Sequence, residues 1–298
     1  MNQCSRELDR RSFIDPAPIS VFFMGEPDGD GITAGGVLSR VGNFLRKGMF
    51  SVISAGPMPD HIAFIMDGNR RYSRKKNMIE GDGHNAGFSA LQKMLMFCFE
   101  MGVKYVTAYA FSIDNFRRSP EEVQSLMNLM QQKMRELLHR ESILHQYGVR
   151  VHIAGNLSLL TPPIRESAEL IMTDTAKNTD AVLSICVAYT STDEIAHAVQ
   201  VACGEKCDGA RDRSEDLVGL GDVEERMYMA VAPIPDIIIR TSGEMRLSNF
   251  LLWQSSCSLL CFPSVLWPEM GLWHLLWAVI NFQQSHAYLK KKKEVFYF

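Results

Sequence analysis

Three polar clusters carry the residue types that could do chemistry. Asp67-Gly68-Asn69-Arg70-Arg71 follows an apolar run at 62–66, and Phe111-Ser112-Ile113-Asp114-Asn115-Phe116-Arg117-Arg118 follows one at 106–110. Arg240-Thr241-Ser242-Gly243-Glu244-Met245-Arg246-Leu247-Ser248 follows a third at 237–239. Each supplies guanidinium, amide or hydroxyl donors. The first adds a carboxylate suited to a magnesium ion and a glycine that lets backbone N–H groups come close to a ligand. Such donors match the oxygens of diphosphate esters, which arginine holds in a two-pronged grip. Plainer uses exist for the same residues. Asp-Gly-Asn is turn chemistry, paired arginines are commonly solvated, and Arg240-Thr-Ser-Gly can close a strand with an N-cap. His84, in Gly83-His84-Asn85-Ala86-Gly87, can simply cap the helix that follows it.

The elements that must position these clusters are legible in the pattern. Short apolar or β-branched runs at 62–66, 105–110, 149–154, 182–188 and 237–239 read as strands. Helices are expected over 86–101, 120–146, 162–177, 192–203, 214–230 and 271–289. Three starts carry capping signals: Ser119-Pro120-Glu121-Glu122, Thr161-Pro162 and the box Ser191-Thr192-Asp193-Glu194. Strands spaced by helices imply crossovers, hence an α/β layer protein with a mainly parallel sheet flanked by helices. In such a sheet ligands bind beyond the carboxyl ends of the strands, where all three clusters fall. Met94, Phe97, Met101, Met127, Met130 and Met134 recur at helical spacing, as core packing or as the lining of a long apolar channel.

With 46% hydrophobic and 22% charged residues among 298, the chain can bury a sizeable core. A formal charge of -3 steers it toward no nucleic acid, so any anion site must be local. Seven cysteines, several inside apolar runs, suit buried thiols in a reducing compartment. The pairs Cys203/Cys207 and Cys257/Cys261 lack the histidines of a zinc site, and the second reads as buried strand. Residues 1–35 read as a flexible leader without a secretory signal, and 36–298 as one catalytic domain that opens with an amphipathic helix at 37–50. No run is long and apolar enough for a transmembrane helix.

Beyond these patterns, the chain resembles the cis-prenyltransferases, the undecaprenyl and dehydrodolichyl diphosphate synthases. The resemblance rests on His61-Ile-Ala-Phe-Ile-Met-Asp-Gly-Asn-Arg-Arg71, Gly83-His84-x-x-Gly87, Tyr109-Ala-Phe-Ser-x-Asp-Asn-Phe116 and Arg240-Thr-Ser-Gly-Glu-x-Arg-Leu-Ser-Asn-Phe250, followed by Leu266-Trp-Pro-Glu269. It spans about residues 58 to 289, in order and at family spacing. It implies a six-stranded, mainly parallel sheet and an enzyme that adds isopentenyl diphosphate, in Z configuration, to an allylic primer such as farnesyl or geranylgeranyl diphosphate. The product would be a long-chain polyprenyl diphosphate of the dehydrodolichyl type. By the same resemblance Gly68, Asn69, Arg70, Arg71 and Arg118 take the allylic diphosphate, and Arg240, Arg246 and Ser248 the isopentenyl diphosphate. His84 and Phe111 are further substrate-binding candidates. Asp67 handles magnesium, and Ser112 and Asn115 aid the deprotonation.

Arg70-Arg71-Tyr72 resembles the eukaryotic catalytic subunits. Three positions depart from the bacterial pattern: Glu80 replaces a diphosphate-binding arginine, and Met245 and Leu259 replace the His and Glu that help bind magnesium there. Homomeric members and partner subunits of the family also carry a C-terminal Arg-x-Gly motif, whereas this sequence has no arginine after Arg246, and its run Lys290 to Lys293, before Glu294-Val-Phe-Tyr-Phe298, reads as a solvated basic tail. A second, Nogo-B-receptor-like subunit is therefore expected to complete the site and to tether the chain at the cytoplasmic face of the endoplasmic reticulum membrane, the cytoplasm being the other location. The alternative from a different class is a non-catalytic partner or scaffolding subunit, against which the intact Asp67–Arg71 stretch stands. Asp67, as a strand-end carboxylate facing solvent, is expected to matter for turnover and not for folding.

Overall fold

The computed structural model describes residues 46–78, 80–139, 142–209 and 217–297. The described residues fall into two units, divided between Ile53 and Ser54. Within the first, 46–53 are helical, the described part of the expected helix at 37–50; the leader at 1–35 lies outside the described residues.

Six strands make a single sheet: β1 (His61–Ile65), β2 (Tyr105–Ser112), β3 (Val149–Ala154), β4 (Ala181–Tyr189), β5 (Ile237–Arg240) and β6 (Leu259–Cys261). Their order is β3-β4-β2-β1-β5-β6 and every neighbouring pair is parallel. The described helices are α1 (Asn69–Lys75), α2 (Glu80–Glu100), α3 (Pro120–Leu137), α4 (Ile143–Gln146), α5 (Pro162–Asp174), α6 (Ser191–Gly209), α7 (Leu220–Glu224) and α8 (Leu272–Tyr297). The expected α/β class and parallel sheet are therefore observed. All five residues of β1 are buried, as a central parallel strand covered on both faces requires. Met94, Met101, Met127 and Met134 are buried too, so core packing describes these four.

Several boundaries differ for physical reasons. The helix expected at 120–146 is broken, because the chain leaves α3 at Leu137 and restarts only at α4. The helix expected at 214–230 shrinks to five residues at α7, followed by turns that lead to Pro233. The capping box expected at Ser191 and Glu194 is not made. Thr190 Oγ1 instead accepts the Asp193 N–H at 3.3 Å, and Glu194 turns into the core. There it accepts hydrogen bonds from the Tyr189 hydroxyl (2.5 Å), the Met229 N–H (2.9 Å) and Gln254 Nε2 (3.1 Å). Burial raises the Glu194 pKa, and those three donors only partly offset it.

The basic run at 290–293 is not a free tail, since α8 continues through it. Lys293 Nζ meets Asp236 Oδ1 at 2.7 Å, and Lys292 Nζ donates to the Ser256 carbonyl at 2.5 Å. The other Asp236 oxygen accepts the N–H groups of Asp60 and His61 at 2.8 and 3.1 Å. One carboxylate thus joins the start of β1 to the end of the last helix.

His61 itself is buried between Pro233 O, which accepts from Nδ1 at 2.6 Å, and Thr107 Oγ1, 2.7 Å from Nε2. A carbonyl can only accept, so the proton sits on Nδ1 and the neutral ring accepts from threonine. Burial drives the His61 pKa from the usual 6.5 down to about 4. The unfolded chain therefore binds the proton first. Stability from His61 is full above about pH 6.5 and is lost as pH falls toward about 4, about 3 kcal/mol in all. Chemical denaturation of His61→Asn over that range should show a pH slope shallower than wild type by up to one proton. Equal slopes would contradict a neutral buried ring.

Candidate active site

Strand order creates the site. β1 lies between β2 and β5, so the clusters that follow these three strands meet at one sheet edge. Ile65 pairs with both Tyr109 and Arg240, which sets the loop starts level with one another. Beyond β1 the chain turns at Gly68, whose φ of 112° and close approach to Leu266 Cδ2 (2.9 Å from an added Cβ) exclude other residues, and then winds into α1. Thr241 staples the two loops together. Its hydroxyl donates to Asp67 O at 2.7 Å and accepts the Asp67 N–H at 3.1 Å.

The result is a cavity of about 410 Å³ lined by Met66, Asp67, Gly68, Asn69, Arg70, Arg71, Arg74, His84, Arg118 and Arg246. Five of these are arginines, a local positive field in a chain of slightly negative total charge. Eight of the residues singled out in the sequence are thus brought together. Arg74 was missed, although it stands one helical turn from Arg70 and Arg71 and so shares their face.

Asp67 is the hub of the charge network. Its Oδ1 accepts from Arg71 Nη2 at 3.2 Å and its Oδ2 from Arg240 Nη2 at 2.8 Å. Half-burial on its own would raise the Asp67 pKa, but the hydrogen bond and charge of Arg240, with Arg71 and Ser242 behind, outweigh it and hold the carboxyl below its ordinary value. Arg240 is only 4% exposed. Its Nη1 donates to Ser248 Oγ at 2.6 Å and to the Arg246 carbonyl at 2.7 Å, while its buried Nε has no hydrogen-bond partner. Arg240 therefore organises both Asp67 and the 246–248 loop from beneath, which its position in the sequence did not disclose. Tyr109 supports the same loop, stacking on Phe250 at 4.5 Å between ring centroids and donating to Tyr189 O at 3.1 Å.

Ser112, Asn115 and Phe111 do not figure in the described lining. Ser112 caps the short 3-10 turn over Ile113–Arg117, its Oγ accepting the Asp114 N–H, and Asn115 Oδ1 accepts the Ser112 N–H at 3.0 Å. Phe111 is buried edge-on against Phe116, with ring centroids 4.9 Å apart. Arg118, from the same segment, does reach the cavity.

Gly83 and Gly87 explain the motif around His84. A Cβ on Gly83 would lie 2.7 Å from the Asn69 carbonyl oxygen, and one on Gly87 would lie 2.3 Å from Asn69 Oδ1. These glycines let α2 approach α1, the helix that carries three of the five arginines. Gly83→Ala should therefore displace α1 and lower kcat/KM about tenfold, on the scale of misplacing catalytic groups by a fraction of an ångström to one ångström. Unchanged kinetics in that variant would show that α1 need not sit where it does.

Among the described residues no group of three or more His, Cys, Asp or Glu is placed to hold a metal ion. Met245 is 70% exposed and Leu259 lies in β6, and neither side chain is a ligand for a hard cation. The Glu80 side chain lies outside the described residues. Asp67 alone in the lining offers a carboxylate, which fits a magnesium ion shared with substrate phosphates rather than one enclosed by protein.

A parallel α/β sheet with an arginine-lined cavity at the ends of β1 and β5 has the donors to take an anion of the diphosphate type. Residues 65–289 match the family model described as "Putative undecaprenyl diphosphate synthase". Dehydrodolichyl diphosphate synthase CPT3 of Solanum lycopersicum is 54% identical over 284 residues, 89% of this chain and 98% of that one. The dehydrodolichyl diphosphate synthase complex subunit DHDDS of Homo sapiens is 43% identical over 246 residues, 83% of this chain and 73% of that one. Lavandulyl diphosphate synthase of Lavandula x intermedia, solved with dimethylallyl diphosphate, superposes with a TM-score of 0.69 at 26% identity, covering 76% of this chain and 95% of that one. The chain belongs to the cis-prenyltransferase family, and the expected fold is the fold observed.

Proposed function

We propose that the chain condenses isopentenyl diphosphate units, in Z configuration, onto farnesyl or geranylgeranyl diphosphate to make a long-chain, dehydrodolichyl-type polyprenyl diphosphate. The observation that carries this reading is the cavity that gathers Asp67 with five arginines at one sheet edge. Arg70, Arg71, Arg74 and Arg118, with Gly68, Asn69 and His84, hold the allylic diphosphate. Arg246 and Ser248 hold isopentenyl diphosphate, backed by Arg240. Asp67 is the residue that would hold a magnesium ion, which would supply further neutralisation of the leaving group. As the allylic C1–O bond breaks, the arginines take up the negative charge that develops on the diphosphate. The alkene of isopentenyl diphosphate attacks C1, a C–C bond forms, and a C2 proton leaves to set the double bond. Asn115 has no useful basicity, so with Ser112 it orients the diphosphate oxygen that takes the proton. Inorganic diphosphate departs.

The human relative's being a complex subunit by name, and the non-ligating Met245 and Leu259, support work with a second, Nogo-B-receptor-like subunit at the endoplasmic reticulum membrane. No helix among the described residues is long and apolar enough to cross a membrane, so the tether belongs to that subunit in this reading. The test is incorporation of labelled isopentenyl diphosphate with each primer, with and without the second subunit, resolving product length. Long Z-polyprenyl products that increase on adding the subunit are expected. Full activity alone would remove the partner, and no incorporation in any combination would favour a non-catalytic scaffold.

A further inference from the structure

One carboxylate paired with the cavity's arginines lies outside the machinery above. Glu122, in the first turn of α3, accepts from Arg118 Nη1 at 2.7 Å through Oε1, and the same oxygen stands 3.5 Å from Arg70 Nη1. Both arginines line the cavity, one delivered by the segment after β2 and the other by α1. The glutamate is held in place by its backbone, since its N–H donates to Ser119 Oγ at 3.3 Å, the N-cap bond of α3. The side chains of Glu122 and Arg118 are only 23% and 28% exposed, so solvent screens the pair incompletely.

A capping-box role would send the Glu122 side chain back to the Ser119 N–H. It goes to the two guanidinium groups instead. A diphosphate that reaches Arg118 and Arg70 must share them with this carboxylate or displace it, and a departing diphosphate returns them to it. Accepting the diphosphate reading of the cavity, each addition releases one inorganic diphosphate, so this exchange recurs with every unit added. We propose that Glu122 is the resident counter-anion of Arg118 and Arg70, and that it holds diphosphate binding weak enough for the leaving group to escape in each cycle. Glu122 is in this sense a positioning residue, acting on substrate only through the arginines.

The experiment uses the full chain, with its second subunit where activity requires one, and inorganic pyrophosphate as the probe. Calorimetric binding to wild type, Glu122→Gln, Glu122→Met and Glu122→Asp is read beside pyrophosphate inhibition of elongation. Both neutral variants should bind pyrophosphate about fivefold to tenfold more tightly, the scale of removing one mostly buried charge from an ion-paired cluster. Inhibition should strengthen in parallel, and kcat and the KM for the allylic primer should fall together, whereas Glu122→Asp should stay near wild type. A merely structural glutamate would raise KM, and Glu122→Met provides a second neutral substitution should Glu122→Gln fold poorly. Wild-type binding with unchanged or weaker binding in the neutral variants would overturn the proposal alone. Absence of pyrophosphate binding even in wild type would overturn the diphosphate reading along with it.

Discussion

Asp67→Ala should lose about 10²-fold or more in kcat, the scale of removing a key electrostatic group from a preorganised site. Asp67 is the one carboxylate in the described lining, and it fixes two guanidinium groups at once, Arg71 and Arg240. Its loss removes the oxygen donor offered to magnesium and releases both arginines from their set directions. The geometry argues for a cost to folding as well, against the expectation that only turnover would suffer. The Arg240 side chain is only 5% exposed, and without Asp67 its Nη2 loses the carboxylate it donates to. A stability loss of about 1–3 kcal/mol is expected, the usual cost of a buried polar group left without its partner. Asp67→Asn keeps an acceptor for one arginine and separates the two effects: melting should recover most of the way while turnover stays low. Near-wild-type turnover in a folded Asp67→Asn protein would remove Asp67 from the chemistry.

Arg240→Ala should be nearly as damaging, and differently from the exposed arginines. The family resemblance assigns Arg240 and Arg246 alike to isopentenyl diphosphate. The observed geometry divides them. Arg246 has a side chain 61% exposed at the cavity, and its backbone carbonyl accepts from the nearly buried Arg240. Arg246→Ala should chiefly raise the KM for isopentenyl diphosphate, and Arg71→Ala that for the allylic primer, each by about tenfold to a hundredfold for a lost charged hydrogen bond. Arg240→Ala should raise the first KM and also cut kcat by about 10²-fold, because Asp67 and Ser248 both lose the group that aims them. Initial-rate kinetics with each substrate varied in turn would decide the matter. An Arg240→Ala effect confined to KM would mean that Asp67 does not depend on it.

Most of the site's membership was legible before any coordinates, because residue type and position after a strand carry that information. Asp67, Gly68, Asn69, Arg70, Arg71, His84, Arg118 and Arg246 all line the cavity. Arg74 escapes notice because the sequence pattern places no helix over 69–75, Asp-Gly-Asn being turn chemistry in isolation. Ser112 and Asn115 enter through the family resemblance, and the structure adds a use that the resemblance does not name, the cap of the turn that delivers Arg118.

The α/β class, the strands, most helices and the anion-binding residue types of the loops can be read from the chain alone. Those features rest on hydrophobic period, caps and side-chain type, which act within a few residues along the chain. Which loops meet is set by the packed fold. The order of β2, β1 and β5 in the sheet depends on the burial of whole faces, and no local pattern encodes it. The same holds for individual partners. Asp67 and Arg240 are 173 residues apart, Glu194 turns inward rather than back to its own helix start, and Glu122 reaches across to Arg70. Pairings of that kind are settled by which groups must leave water together, a balance of desolvation against long-range charge that exists only once the chain has packed.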